Sequence, residues 1–220
     1  MDWSTVVATG LGSAWLSGIN VYATVLTLGL LQRFGLARLP GDLGYLSEGW
    51  VIGLAVLLYL IEFVADKVPA VDTVWDAVHT FIRVPAGAVL ATSAFADFDT
   101  PVRIAALLVG GGLALGAHGS KAATRVAVNT TALGGGIVLS LAEDAATFGS
   151  ALRMSFFPLV FLGLLLFAVL ATAWLAPKVL RAVRSVSGHV RPASQALASG
   201  YGSPARRSAR SRRARHSDLS

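Results

Sequence analysis

VIGLAVLLYLIEFVADKVPAVDTVWDAVHTFIRVPAGAVLATSAFA, residues 51–96, holds the pattern that decides the fold. An uncharged run, 51–61, leads into EFVADKVPAVDTVWDAVHTFIR, 62–83, which gathers Glu62, Asp66, Asp72, Asp76 and His79. A second apolar run, VPAGAVLATSAFA, follows at 84–96. Long apolar runs broken by short polar segments suit a bilayer. There, ~20 apolar residues cross the hydrocarbon as a helix that satisfies its own backbone polar groups. The polar segment is then either a working site at the membrane edge or a solvated connection between two spans.

The pattern recurs along the chain. Apolar runs fall at 13–34, 49–65, 84–98, 101–118, 132–148 and 155–177. Of 220 residues, 55% are hydrophobic and 14% charged, against roughly 45–50% and 25% in soluble domains. The fold class is all-α, a polytopic helical membrane protein with about six transmembrane or re-entrant helices. The third run is short for a crossing, so it either extends back through the amphipathic segment 73–83 or re-enters. Pro69 closes the second span and Asp72 is a candidate cap for a short helix after it. Asp99-Thr100-Pro101 reads as an N-cap followed by a helix-starting proline.

The chain has no cysteine. Disulfides, thiol catalysis and cysteine-ligated zinc or iron–sulfur centres are thereby excluded. No dedicated metal or cofactor motif is present, so no cofactor is expected. Charge is unevenly placed: from Lys178 onward ten bases face one acid, Asp218, while the rest of the chain carries eight bases and eleven acids. This divides the chain into a helical transmembrane domain, 1–186, and a disordered Arg/Ser-rich tail, 187–220. Beside a span, such a tail suits anionic lipid headgroups better than nucleic acid. It also sets orientation by the positive-inside rule, with both termini expected inside the cell membrane. The N-terminus, MDWSTVVATG, lacks the basic n-region of a cleavable signal peptide, so the first span is expected to remain. Counting six crossings back from the tail puts 66–83 and 119–131 on the cytoplasmic side and Glu143-Asp144 on the far side.

Residues 51–97 and 104–144 are a candidate internal repeat, with Gly87 laid over Gly134 and Asp97 over Asp144. Both units would run in the same sense, and such repeats commonly place a substrate path at their interface. Glycine clusters in GLGSAWLSG, VGGGLALGAHG and ALGGGIV. Close helix packing explains these most simply, and broken helices are the alternative.

The ionisable residues are the candidates for chemistry. Glu62 and Asp66 share a helical face at the inner end of the second span. A carboxylate in that setting needs a partner, for which Lys67, Arg83 and His118 are available. Asp66 itself reads as interfacial. Asp72, Asp76 and His79 also share a face, where a cap and a solvated surface compete with metal binding. In AHGSKAATRVAVNTT, His118, Lys121, Arg125 and Asn129 form one stripe that could receive an anion or a lipid phosphate, or serve as positive-inside anchoring. Glu143-Asp144 sit side by side after SLA, so at least one faces protein or an aqueous cavity. In SGINVYATVL, Asn20 either bonds across helices or marks a broken helix. No GxSxG elbow, P-loop or GxGxxG appears, and enzyme activity is the minority reading.

Four segments, SGINVYATVL, EFVADKVPAVDTVWDAVHTFIRVPAGA, GAHGSKAATRVAVNTT and SLAEDA, resemble the membrane proteins grouped as domain of unknown function 4126. The likeness covers about residues 10 to 180. It implies an integral membrane protein of bacterial type and brings no settled activity. It also favours a site over an accidental loop at 62–83.

The resulting expectation is a small transporter or channel-like protein for an ion or small polar solute. A scaffold without transport is the alternative, and an intramembrane enzyme acting on a lipid phosphate is a third. Expected partners are the bilayer, anionic lipid at the tail and a second copy in a homodimer.

Overall fold

Leu54, Leu57, Leu60, Ile61 and Val64 are exposed, while Glu62 between them is fully buried. This polarity is inverted relative to a protein in water, and it recurs on other helices, although Leu16, Leu28 and Met154 are buried as well. Thr9, Ser13, Ser17, Asn20 and Thr24 are buried, and Leu159, Leu166, Phe167 and Trp174 face outward. Such an exterior is stable against hydrocarbon and unstable against water.

The computed structural model describes residues 2–67, 69–131 and 135–200, with side chains for all of these except 69–74, 76–77, 126–131, 135–136, 179–180 and 182–200. It contains α1 (Trp3–Arg33), a 3-10 helix (Gly41–Ser47), α2 (Gly49–Ala65), α3 (Pro69–Ala94), α4 (Thr100–Thr131), α5 (Gly135–Phe156) and α6 (Pro158–Gly200). No strand occurs among the described residues. Trp3–Arg33, Thr100–Arg125 and Pro158–Lys178 are long and apolar enough to cross a membrane. The 3-10 helix and α2, bent by 72° at their junction, make a fourth if counted as one span. Helices of this length and composition mark a membrane protein.

α1 is broken. Asn20 has φ −150° and ψ 100°, an extended backbone inside an otherwise helical run. Its carbonyl side-chain oxygen accepts from the Ala23 N–H at 2.9 Å, an N-cap for the second half of the helix. The halves do not continue in one direction. Gly10 packs on Ala94 and Phe95, Gly41 on Ser93 and Ala94, and Gly29 on the Leu46 carbonyl. A straight helix would separate Gly10 from Gly29 by about 28 Å. The 3-10 stretch from Gly41 to Leu46 covers about 10 Å of that. The second half therefore folds back, and both ends of α1 lie at the same end of the bundle as the α3–α4 turn.

α1, α3 and α4 approach closely where glycine removes the side chain. A Cβ at Gly18 would collide with the Ala114 carbonyl, at Gly87 with Ala114 and Ser17, and at Gly110 with Ala91. From the α1 end of the bundle, α2 to α6 run alternately away and back. Trp3 packs on Phe98 with ring centroids 4.8 Å apart at one end. Ser120 bonds Thr172 at 3.0 Å toward the other.

Of the two readings open for the run 84–98, extension back through 73–83 is the one observed, because α3 is continuous from Pro69 through Pro85 to Ala94. Asp72 therefore lies inside the first turn of α3 rather than capping a helix ahead of it. The fifth run, read as 132–148, extends further, since α5 continues to Phe156 before Pro158 opens α6.

The chain divides into two units, 1–175 and 176–220. In the second, α6 continues to Gly200. The compositional boundary at 187 falls within this helix, and residues 201–220 of the tail lie outside the described residues.

Candidate functional site

The break in α1 opens onto a buried ionic cluster built from five helices. α2 delivers two acids from its last turn, with the Asp66 N–H bonded to the Glu62 carbonyl at 2.9 Å. That spacing puts both carboxylates on one face. α3 delivers Arg83, whose Nη2 lies 2.5 Å from Glu62 Oε1, with both side chains fully buried. α4 delivers Lys121 and Arg125 from one stripe, one turn apart. Arg125 Nη2 bridges Asp66 Oδ2 at 2.8 Å and Glu143 Oε2 at 2.7 Å. Lys121 lies between Glu143 at 3.3 Å and the Glu62 and Asp66 carboxylates, each at 3.8 Å. Its ammonium also donates to the Ile19 carbonyl at 3.0 Å. That carbonyl immediately precedes the break, so α4 satisfies an acceptor at the end of the first half of α1.

α5 delivers Glu143 and Asp144 to different partners, as their offset of about 100° around the helix requires. Asp144 Oδ1 accepts from the Asn20 amide at 3.0 Å. Ser140, one turn earlier, reaches Asp66 Oδ2 at 3.5 Å. The bases thus come from α3 and α4, and the acids from α2 and α5.

The two histidines flank the cluster. His118 Nδ1 is 3.0 Å from Arg83 Nη1, which can only donate, so this nitrogen accepts. Nε2 is then left to donate to the Thr80 hydroxyl at 2.7 Å. His79 Nδ1 lies 2.8 Å from the Trp75 carbonyl, which can only accept. Its Nε2 receives the Tyr22 hydroxyl at 3.1 Å. Trp75 stacks on the same imidazole with centroids 4.4 Å apart. Both nitrogens of His79 are thereby engaged in the protein. Among the described residues no group of three His, Cys, Asp or Glu could hold a metal ion.

Asn20, Glu62, Asp66, His118, Lys121, Arg125, Glu143 and Asp144 therefore come together, and His79 lies one turn of α3 from Arg83. Asp72 and Asp76 on α3 and Asn129 on α4 have side chains outside the described residues. Two expectations are corrected. Asp66 is 7% exposed and buried by Arg125, not interfacial. Glu143 shares Arg125 with Asp66, so the acids of α5 join one site with those of α2 instead of lying across the membrane from them. Counting crossings had set these acids at the far end of the fifth run, whereas they sit near the middle of α5.

Residues 7–178 match the family model of a domain of unknown function, DUF4126. The chain belongs to that family. No curated protein and no solved structure matches it. The match takes in all six α-helices at least in part, and with them every ionic group of the cluster, so the site lies within the DUF4126 region.

Thr80, Tyr22, Ser140 and the Ile19 carbonyl complete the site and were not among the expected site residues, whereas Arg83, expected only as one of three candidate partners for Glu62, is the one that pairs with it directly. Arg83 carried a signal, as the base that the amphipathic segment 69–83 places one turn after His79. The carbonyl carried none, because a backbone acceptor becomes available only once the helix is known to break.

Proposed function

We propose that this DUF4126 protein is a small carrier or channel for an ion or small polar solute. The supporting observation is the break at Asn20, where two half-helices meet inside a buried cluster of charges. At membrane depth, non-helical backbone is stable where protein buries it or where it lines a polar path. Discontinuous helices with ionisable side chains at their ends are a recurrent way to build a substrate site near the bilayer midplane. In this reading Glu62 is the pivotal acid, since it joins Arg83 and Lys121 around that point. The bilayer and anionic lipid at the basic tail are its partners, and a second copy completes a path too narrow for one chain.

A scaffold reading draws on the complete burial and pairing of Glu62 and Arg83, which hold α2 to α3. The lipid-phosphate enzyme reading gains no support, because carboxylates already occupy Lys121 and Arg125. The deciding experiment is flux of a panel of ions and anionic solutes into liposomes, with wild type and Glu62→Gln at matched incorporation. Flux that is present in wild type and lost in a folded Glu62→Gln supports the carrier. Absence of flux for every solute in folded wild type leaves the scaffold.

A further inference from the structure

Among the described residues the cluster is not charge-balanced. Glu62, Asp66, Glu143 and Asp144 supply four negative charges, and Arg83, Lys121 and Arg125 supply three positive ones, leaving one negative charge over. The ion pairs show where the excess resides. Arg83 holds Glu62, Arg125 holds Asp66 and Glu143, and Lys121 stands among these same three acids. Asp144 is 6% exposed and has no base within ion-pair distance among the described residues. Its Oδ1 takes the Asn20 amide, and its Oδ2 is buried without a hydrogen-bond partner among the described residues.

Nearby groups do not correct the imbalance. On α1, Asn20 contributes a neutral amide and Tyr22 is engaged by His79. On α2, the Tyr59 phenol faces Asp144 itself and its ring packs on Phe148, one turn further along α5; being neutral, it adds no positive charge. Lys67, at the end of α2, donates to the Phe63 carbonyl at 2.8 Å and sits over the Phe63 ring at 3.0 Å. The sequence places no base in 126–136, the stretch leading into α5. A buried carboxylate with no counter-charge is neutralised rather than carried as an ion.

We propose that Asp144 takes up a proton from the aqueous phase, on Oδ2, and that this group at the break of α1 is the proton-coupling site of the carrier. The step is a simple association: the carboxylate gains one O–H bond and loses its charge. Asn20 fixes which oxygen is used, because its amide occupies the other. Since Asn20 also N-caps the second half of α1, the protonation state of Asp144 bears directly on the residue that shapes the break. The coupling role rests on the carrier reading, whereas the protonation does not.

Infrared difference spectroscopy of the purified protein, stepped between acidic and alkaline buffers free of sodium and potassium, tests this. Wild type is expected to show the C=O stretch of a protonated carboxyl in acid and to lose it in alkali. Asp144→Asn, which keeps the shape and a partner for Asn20, is expected to lack that band, and Glu143→Gln to retain it. Isotope-labelled aspartate in wild type supplies a check that needs no variant to fold, and the band must shift with it and not with labelled glutamate. A band that persists in Asp144→Asn, or its absence from wild type, overturns the proposal. So does a rise in the wild-type unfolding temperature on replacing choline by sodium or potassium that Asp144→Asn abolishes, because a metal cation then supplies the missing charge. If the band behaves as expected while no solute moves, the carrier reading fails and the proton site stands.

Discussion

Lys121 on α4 donates to the backbone carbonyl of Ile19 on α1 at 3.0 Å, at the residue before the helix breaks. One side chain thus serves two needs. It satisfies an acceptor released by the break and supplies a positive charge among three carboxylates.

Replacing Lys121 with Met removes both services at once. An unsatisfied buried acceptor costs ~1–3 kcal/mol, and an uncompensated buried charge ~3–5 kcal/mol. Thermal unfolding in detergent should show a large loss for Lys121→Met and partial recovery for Lys121→Arg. Equal losses in the two would mean that charge at this position is immaterial.

Glu62 and Arg83 should behave as a unit. Glu62→Gln and Arg83→Gln each leave a fully buried partner charge, a loss of ~3–5 kcal/mol. The double variant should recover ~1–3 kcal/mol relative to the sum of the singles. Additive losses in a double-mutant cycle would show that the 2.5 Å pair does not couple energetically.

Gly87→Val forces side-chain volume between α3, Ala114 of α4 and Ser17 of α1. Overpacking of this sort costs ~1–3 kcal/mol. A Val at Gly112, where nothing lies within 4 Å, is the matched control and should unfold like wild type.

The fold-back of α1 predicts sidedness. The absence of native cysteine makes single-cysteine labelling free of background. Gly44→Cys in the 3-10 helix and Asp97→Cys in the α3–α4 turn should react with an impermeant maleimide from one side of a sealed vesicle. Lys67→Cys should react from the other. Asp2→Cys, ahead of α1, should react from the same side as Gly44→Cys, and labelling of these two from opposite sides would show that α1 crosses as a continuous span.

The fold class was readable because the bilayer leaves few options: the run at 49–65 appears as α2, and all but the first three residues of 155–177 fall in α6. The stripe His118–Lys121–Arg125 was equally plain, since helical spacing alone places it on one face. Depth was not plain. Hydropathy marks where a run becomes polar, and at Glu143 that point lies in the middle of a helix that goes on to Phe156. The break was half visible. Asn20 stood out among small residues, but its folding back depends on contacts of Gly29 and Gly41 that are remote in sequence. Asp97 and Asp144, aligned by the candidate repeat, occupy unlike places: Asp97 is exposed in a turn and Asp144 is buried.

The glycine crossings at 18, 87 and 110 bring α1, α3 and α4 together with no side chain between them, which leaves little room for sliding among the three. All three bases of the cluster ride on two of these helices, α3 and α4, while all four acids ride on α2 and α5. Any spreading of α2 or α5 away from this block pulls unlike charges apart in a medium of low dielectric. The cluster is therefore an electrostatic latch. In the carrier reading proposed above, it stays shut unless something that carries charge enters to take the place of the partner being withdrawn.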